Sequence, residues 1–250
     1  MRSTLLLLLL LLSVRAAGQD NAEARKLYLE GNRKLTMGRT TEAIAKYDAA
    51  LALEKHEFYY YQKGLALRRA GDEQRAAVCF SEALKYNADF AAAHHGLGNS
   101  CAALRRYGEA VSAFERALAL HPKLAHARKG LASAQTGLAQ ALLDSSKFDE
   151  ALATARAAMK NDEGMYQPHL VAARALLRLD RHDEAIEEAA AALRLSPASA
   201  PAVAYEVGLA RRAKGDLPGA RAAFDEAAAS PTLRESAAYQ KHEIDSLLSK

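Results

Sequence analysis

Several residue types are scarce in this 250-residue sequence, and their scarcity narrows the class of fold. Tryptophan is absent, only 6% of the residues are aromatic, and there are six prolines. Alanine, which recurs nearly everywhere, favours helix, whereas strands favour aromatic and β-branched residues, so a mostly β fold is disfavoured. Half of the residues are nevertheless apolar and 26% are charged, which excludes disorder as a description of the whole chain.

The charge is close to balanced. The formal net charge of +4, from 34 basic and 30 acidic residues, becomes +2, or 32 against 30, if Arg2 and Arg15 are removed with a targeting segment. A balance of this size does not indicate nucleic acid or an anionic membrane surface as the partner.

The first 18 residues have the pattern of a signal peptide. Arg2 precedes an apolar block from Leu5 to Leu12, and small residues suited to cleavage follow, with cleavage expected after Ala16 or Gly18. A membrane anchor is the alternative, but the apolar stretch from Thr4 to Val14 is well short of the ~20 residues that span a bilayer. The sequence therefore predicts export to a periplasm or a secretory lumen, with no stable anchor after cleavage.

The rest of the chain contains six similar runs. Each begins with an alanine, and residues four and seven positions later are alanine or aromatic, which places all three on one helical face. A second small residue lies about twelve positions before each anchor, with turn residues between, so each unit is predicted to be two helices. The anchors are Ala43, Ala76, Ala110, Ala151, Ala185 and Ala220, at separations of 33, 34, 41, 34 and 35 residues.

This pattern resembles the tetratricopeptide repeat family, whose 34-residue helix-turn-helix unit has small residues where its helices cross and an aromatic residue in the second helix. The third unit matches best, with Gly98, Ala110, Phe114, Ala117 and Pro122, and the resemblance covers about residues 22–232. It implies an all-α, right-handed α-solenoid. An irregular alanine-rich bundle is the alternative.

Units four and five depart from the family pattern at the aromatic position. Ala155 and Ala189 stand where the other units have Tyr or Phe. These two units should therefore pack more closely or leave small voids.

The 41-residue separation equals one repeat plus a heptad. The heptads beginning at Ala127 and Ala134 are similar, and seven residues are nearly two helical turns, so the insertion lengthens a helix without rotating its buried face. We predict a long first helix in unit four, from near Lys123 to Leu143, and no loop between Gly130 and Gly137.

The chain is thereby divided into four segments: a signal peptide at 1–18, units one to three at 22–124, units four to six at 125–231, and a terminal helix at 232–250. The last helix is amphipathic and is predicted to cover the open end of the array. Exchange of this helix with a second copy is the alternative.

No catalytic, cofactor-binding or metal-binding motif is recognisable. The segment from Gly64 to Gly71 lacks the lysine of a phosphate-binding loop, and the adjacent residues His94 and His95 point to opposite sides of a helix.

Cys79 and Cys101 would lie in an oxidising compartment after export. Their offset along paired helices, about 6 Å, added to the interaxial distance, exceeds the ~7 Å limit for a disulfide, so we expect free thiols.

The resemblance implies a concave groove, lined by the first helix of each unit, that holds a peptide or a partner's helix. Phenol, amide and guanidinium groups suit a peptide backbone and carboxylates, which favours an acidic partner. The residues placed on or near this surface are Tyr28, Asn32, Tyr61, Arg68, His95, Asn99, Arg174, Arg178, Tyr205 and Arg212.

We therefore expect a non-enzymatic, exported scaffold, monomeric, that binds a protein or peptide. The alternatives are an accessory subunit that recruits substrate to a catalytic partner, and a self-associating structural protein. The family's subset that captures the C-terminal carboxylate of cytosolic chaperones is disfavoured, because Asn32 alone matches its five positions, and Tyr28, Gln62, Ala92 and Gly96 occupy the others.

Overall fold

The computed structural model describes residues 22–249, and these residues form helices joined by short turns. The first helix, α1, is described over residues 22–36. The others are α2 (Thr40–Leu53), α3 (Glu57–Arg69), α4 (Glu73–Tyr86), α5 (Ala91–Ala103), α6 (Tyr107–Leu120), α7 (Ala125–Asp144), α8 (Phe148–Asn161), α9 (Gln167–Arg178), α10 (His182–Leu195), α11 (Ala200–Ala213), α12 (Leu217–Ala227) and α13 (Arg234–Leu248), with a short 3₁₀ helix at Pro197–Ser199.

The described residues form two compact units that meet in sequence between Ala127 and Arg128, and we call them the N-terminal and C-terminal units. Within the first, α3 packs against α4, α4 against α5 and α5 against α6. Within the second, each helix from α8 to α13 packs against the next. The predicted class, an all-α repeat fold of helical hairpins without strands, is confirmed for the described residues.

The turn inside each hairpin contains one residue with a positive φ angle. Three are glycines, and the other three are Arg105, Ser146 and Asp180, with φ angles of 59°, 60° and 57°. At Arg105, the backbone N–H of the next residue donates to the carbonyl of Cys101 at 2.8 Å, which is the hydrogen bond of a Schellman motif. Every hairpin therefore uses a left-handed residue to end its first helix, whether or not that residue is glycine.

In the hairpins that have an aromatic residue in the second helix, its ring packs directly against a glycine of the first helix. The ring of Phe80 in α4 lies between Gly64 of α3 and Gly96 of α5, and a Cβ atom at these glycines would come within 2.8 and 2.7 Å of the ring. Phe80 is completely buried. The same contact joins Tyr47 to Gly31, Phe114 to Gly98 and Phe224 to Gly208.

The two units that lack the aromatic residue fill their interiors differently. In unit four, Ala139 and Ala155 share one buried cluster with Leu152, Val171 and Leu176. The methyl group that Ala139 adds relative to glycine is much smaller than the ring that Ala155 lacks, and Leu152, Val171 and Leu176 occupy the same buried cluster.

Helix α7 is the longest described helix, with 20 residues against 12 to 14 in α3, α5, α9 and α11. Gly130 and Gly137 both lie inside it. Helix α13 packs against α12 through Ala237 and Ile244, which are completely buried.

Cys79 and Cys101 are buried free thiols, and burial raises the pKa of both. The predicted signal peptide lies outside the described residues. Within residues 22–249, none of the helices combines the length and hydropathy needed to cross a membrane.

Candidate functional site

The predicted groove residues of the N-terminal unit are largely engaged in packing. The ring of Tyr28 stacks on that of Tyr59, with 4.8 Å between centroids, and the ring of Tyr61 lies 4.9 Å from that of Phe90. Asn32 accepts a hydrogen bond of 2.7 Å from the hydroxyl of Tyr47, whose pKa is raised by burial. Asn32 therefore satisfies the polar end of a buried aromatic side chain.

Three further predicted residues lie on α3 and α5. The side-chain amide of Asn99 donates to Nε2 of His95 at 3.1 Å, an arrangement that uses the neutral imidazole as acceptor. Burial, with smaller contributions from Arg68 and His126, lowers the pKa of His95 and favours that neutral form. Nε of Arg68 lies 3.3 Å from Oε2 of Glu73, so the charge of this arginine is already balanced.

The C-terminal unit contains a pocket of about 560 Å³ between the first helices of three successive hairpins, α7, α9 and α11. It brings together three predicted residues, Arg174, Arg178 and Tyr205. Its lining consists of Gln140, Leu143, Asp144, Ser146, Arg174, Leu177, Arg178, Tyr205, Glu206, Leu209 and Ala213.

An ion pair between a half-buried arginine and a buried carboxylate lies at this pocket. Nε of Arg174 donates to Oε1 of Glu206 at 2.6 Å, and Glu206 is only 5% exposed. Burial raises the pKa of Glu206, and the Arg174 guanidinium opposes that shift. Gln140 lies 3.5 Å from the other side of the same guanidinium. Arg174 is thus held between α7 and α11 by partners within the protein.

Arg178, one helical turn further along α9, has a different environment. Its guanidinium carbon lies 4.6 Å from the centroid of the Phe148 ring, a cation–π distance. Within residues 22–249 no carboxylate forms an ion pair with it. Asp144 accepts a hydrogen bond of 2.8 Å from Gln140 and likewise has no cationic partner in the described part of the chain.

The remaining predicted residue, Arg212, does not line this pocket. It contacts Gln240 and lies 3.9 Å from Glu243, both in α13. Tyr205 lines the pocket with part of its ring and packs edge-on against Phe224, at 5.5 Å between centroids.

Glu206 is not among the residues predicted from the sequence, although the repeat pattern contains a signal for it. Glu206 lies two positions before Gly208, the small residue of the first helix in unit six. At the equivalent position, the other five units have uncharged residues. A charge in a row of otherwise neutral positions predicts a partner on a neighbouring helix. Within residues 22–249, no group of three or more His, Cys, Asp or Glu side chains is placed to hold a metal ion.

Family models and solved structures agree with the hairpin architecture. Models described as tetratricopeptide repeat match residues 28–77, 89–164, 136–200 and 170–234, which is more than half of the chain. No curated protein matches the chain significantly.

Three solved structures show the same fold at low sequence identity. One is described as YrrB, a tetratricopeptide repeat protein with an unusual peptide-binding site: it is 20% identical, has a TM-score of 0.59, and the match covers 78% of this chain and 97% of that one. A structure of MamA is 20% identical, with a TM-score of 0.55 and coverage of 72% and 95%. MamA from Desulfovibrio magneticus RS-1 is 22% identical, with a TM-score of 0.52 and coverage of 70% and 96%.

Proposed function

Because the chain belongs to the tetratricopeptide repeat family, we propose that it is a non-enzymatic scaffold that binds a peptide or an exposed segment of a partner protein along its first helices. Proteins of this family generally mediate protein–protein interactions, and one similar structure is described as having a peptide-binding site. The ten groove residues predicted from sequence remain candidates for that surface.

The observation that carries this proposal is the pocket between α7, α9 and α11. Its volume, about 560 Å³, falls within the range of about 300–1,000 Å³ typical of ligand sites. It combines apolar side chains with Arg178 and Asp144, which form no ion pair within the described residues. A surface built only for stability would be expected to pair these charges or to fill the space.

Selection from a displayed peptide library tests the proposal. The chain from residue 19 onward should retain peptides that bind in solution with one-to-one stoichiometry by titration calorimetry. Peptides that are not retained after the helices are unfolded in urea bind the folded surface. A library that yields no such peptide would contradict this function.

We further propose that the chain is exported, on the pattern of residues 1–18. Expression of the full-length chain in a bacterial host, followed by cell fractionation and mass spectrometry, tests this. The expected result is a secreted or periplasmic chain beginning at Ala17 or Gln19, and a cytosolic chain that retains Arg2 would contradict it.

Self-association is a second candidate, favoured by the outer side of α13. Tyr239 is 61% exposed and Leu247 is 50% exposed, so this helix presents large side chains that a second copy could cover. Light scattering after size-exclusion chromatography tests this candidate: a dimer lost on Tyr239→Ser supports self-association, and a monomer at all concentrations contradicts it.

A further inference from the structure

The two arginines of the C-terminal pocket differ in whether their charge is already balanced within the protein. Arg174 donates to Glu206, a carboxylate that is 95% buried. An incoming carboxylate therefore gains less from Arg174 than from an arginine that has no acidic partner.

Arg178 has no such partner among the described residues. Its guanidinium rests on the Phe148 ring, and within the described chain its donors are not used by a carboxylate. A planar guanidinium held against an aromatic face still presents its edge to a carboxylate, with which it forms charge-assisted hydrogen bonds. The pocket thus contains one arginine that is both positioned and available.

The remaining lining defines what accompanies the carboxylate. Leu143, Leu177 and Leu209 come from three different helices and are all partly exposed in the pocket. They form an apolar wall that an aliphatic side chain of a ligand would cover. Asp144, which lies at the same pocket without a cationic partner in residues 22–249, repels a second carboxylate.

We infer that the pocket between α7, α9 and α11 binds a peptide segment in which an aliphatic side chain adjoins a single acidic residue. The aliphatic side chain packs on Leu143, Leu177 and Leu209, and the carboxylate pairs with Arg178. Asp144 disfavours runs of acidic residues. This inference rests on the proposed peptide-binding function and specifies the ligand of that surface.

Fluorescence anisotropy with short capped peptides tests it. The probe carries one leucine next to one glutamate between neutral glycine and serine residues. Matched probes replace the glutamate by glutamine or lysine, replace the leucine by serine, or carry four consecutive glutamates around the leucine. We expect the first probe to bind the chain about tenfold or more tightly than each of the others, as loss of a charge-assisted contact or an apolar contact implies.

Two variants assign the contacts. Arg178→Glu should weaken binding of the glutamate probe by about tenfold or more and make the lysine probe the preferred one. Asp144→Asn should strengthen binding of the polyglutamate probe severalfold and leave the single-glutamate probe nearly unchanged. The matched control is Arg194→Glu, which makes the same charge change at an exposed position of α10 outside the pocket and should leave all affinities unchanged.

The outcomes separate this inference from the broader function. If Arg178→Glu, folded by circular dichroism, binds the glutamate probe as the wild type does, or if Arg194→Glu is equally impaired, the assignment is overturned. If the library selects peptides without an acidic residue, the inference is likewise overturned while the proposed function stands. Failure of the library to yield any ligand of the folded chain removes the function and the inference together.

Discussion

Replacing Gly64 by alanine should destabilise this protein even though alanine is the better helix former. The added Cβ would lie 2.8 Å from Cε1 of Phe80, closer than van der Waals contact allows. The ring has little room to move toward α5, because Gly96 packs so closely against it that a Cβ built there would lie 2.7 Å from the ring. The strain has to be absorbed by a shift of α3 against α4.

The expected magnitude follows from two opposing effects. Overpacking a well-packed interior costs about 1–3 kcal/mol, and alanine gains up to about 1 kcal/mol over glycine inside a helix. Gly108, which is exposed in the first turn of α6 and has nothing within 4 Å of a built Cβ, provides the matched control. Gly64→Ala should therefore be less stable than Gly108→Ala by about 1–3 kcal/mol.

Removing the ring of Phe80 should reverse the effect of Gly64→Ala on stability. Phe80→Ala alone should cost about 3–5 kcal/mol, because it empties a completely buried site. In that background there is no ring to contact, so Gly64→Ala should become stabilising by up to about 1 kcal/mol. Unit four already combines alanine at both positions, Ala139 and Ala155, in a buried cluster.

Urea denaturation followed by far-ultraviolet circular dichroism measures these differences. Free energies of unfolding are compared only where the variants share the same dependence on urea, because a repeat array can unfold in more than one step. The proposed contact would be refuted if Gly64→Ala were at least as stable as Gly108→Ala. It would also be refuted if Gly64→Ala changed the free energy of unfolding equally with and without Phe80.

Three further predictions concern the turns, a helix cap and the buried carboxylate of Glu206. Arg105→Gly should stabilise the protein by about 0.5–1 kcal/mol in urea denaturation, because the φ angle of 59° is unfavourable for a residue with a Cβ, and an unchanged midpoint would argue against this strain. Asp72→Ala should cost about 1 kcal/mol in the same assay, because its side chain accepts from the backbone N–H of Arg75 at 3.0 Å. A loss no larger than that of an exposed alanine substitution elsewhere would contradict this role. Burial raises the pKa of Glu206 above 4.5, so the stability that its protonated form contributes is fully present below pH 4.5 and is lost as the pH rises through the folded-state value. Between about pH 4 and about pH 8, the free energy of unfolding of the wild type should therefore fall relative to that of Glu206→Gln. If the two free energies changed with pH in parallel, the raised pKa of Glu206 would be contradicted.

The repeat architecture was readable from the sequence because it depends on local periodicity. A helix buries residues at a spacing of 3.6, so the recurring anchors and the small residues before them predicted the hairpins and their buried faces without knowledge of any contact. The aromatic residues at these positions, such as Phe80 and Phe114, are completely or almost completely buried in the structure. Of the six left-handed turn residues, three are glycines, whose residue type indicates a positive φ angle. The other three, Arg105, Ser146 and Asp180, are not indicated by residue type.

The roles of the groove arginines were decided only by the tertiary structure. Arg174 and Arg178 stand one turn apart on the same helix and are chemically identical, and the sequence assigned both to carboxylate binding. Arg174 is neutralised by Glu206, 32 positions later, whereas Arg178 rests on Phe148, 30 positions earlier. Local periodicity determines which face of a helix is buried, but the charge that compensates a side chain on the other face comes from a different helix, and only the packing of those helices brings the two together.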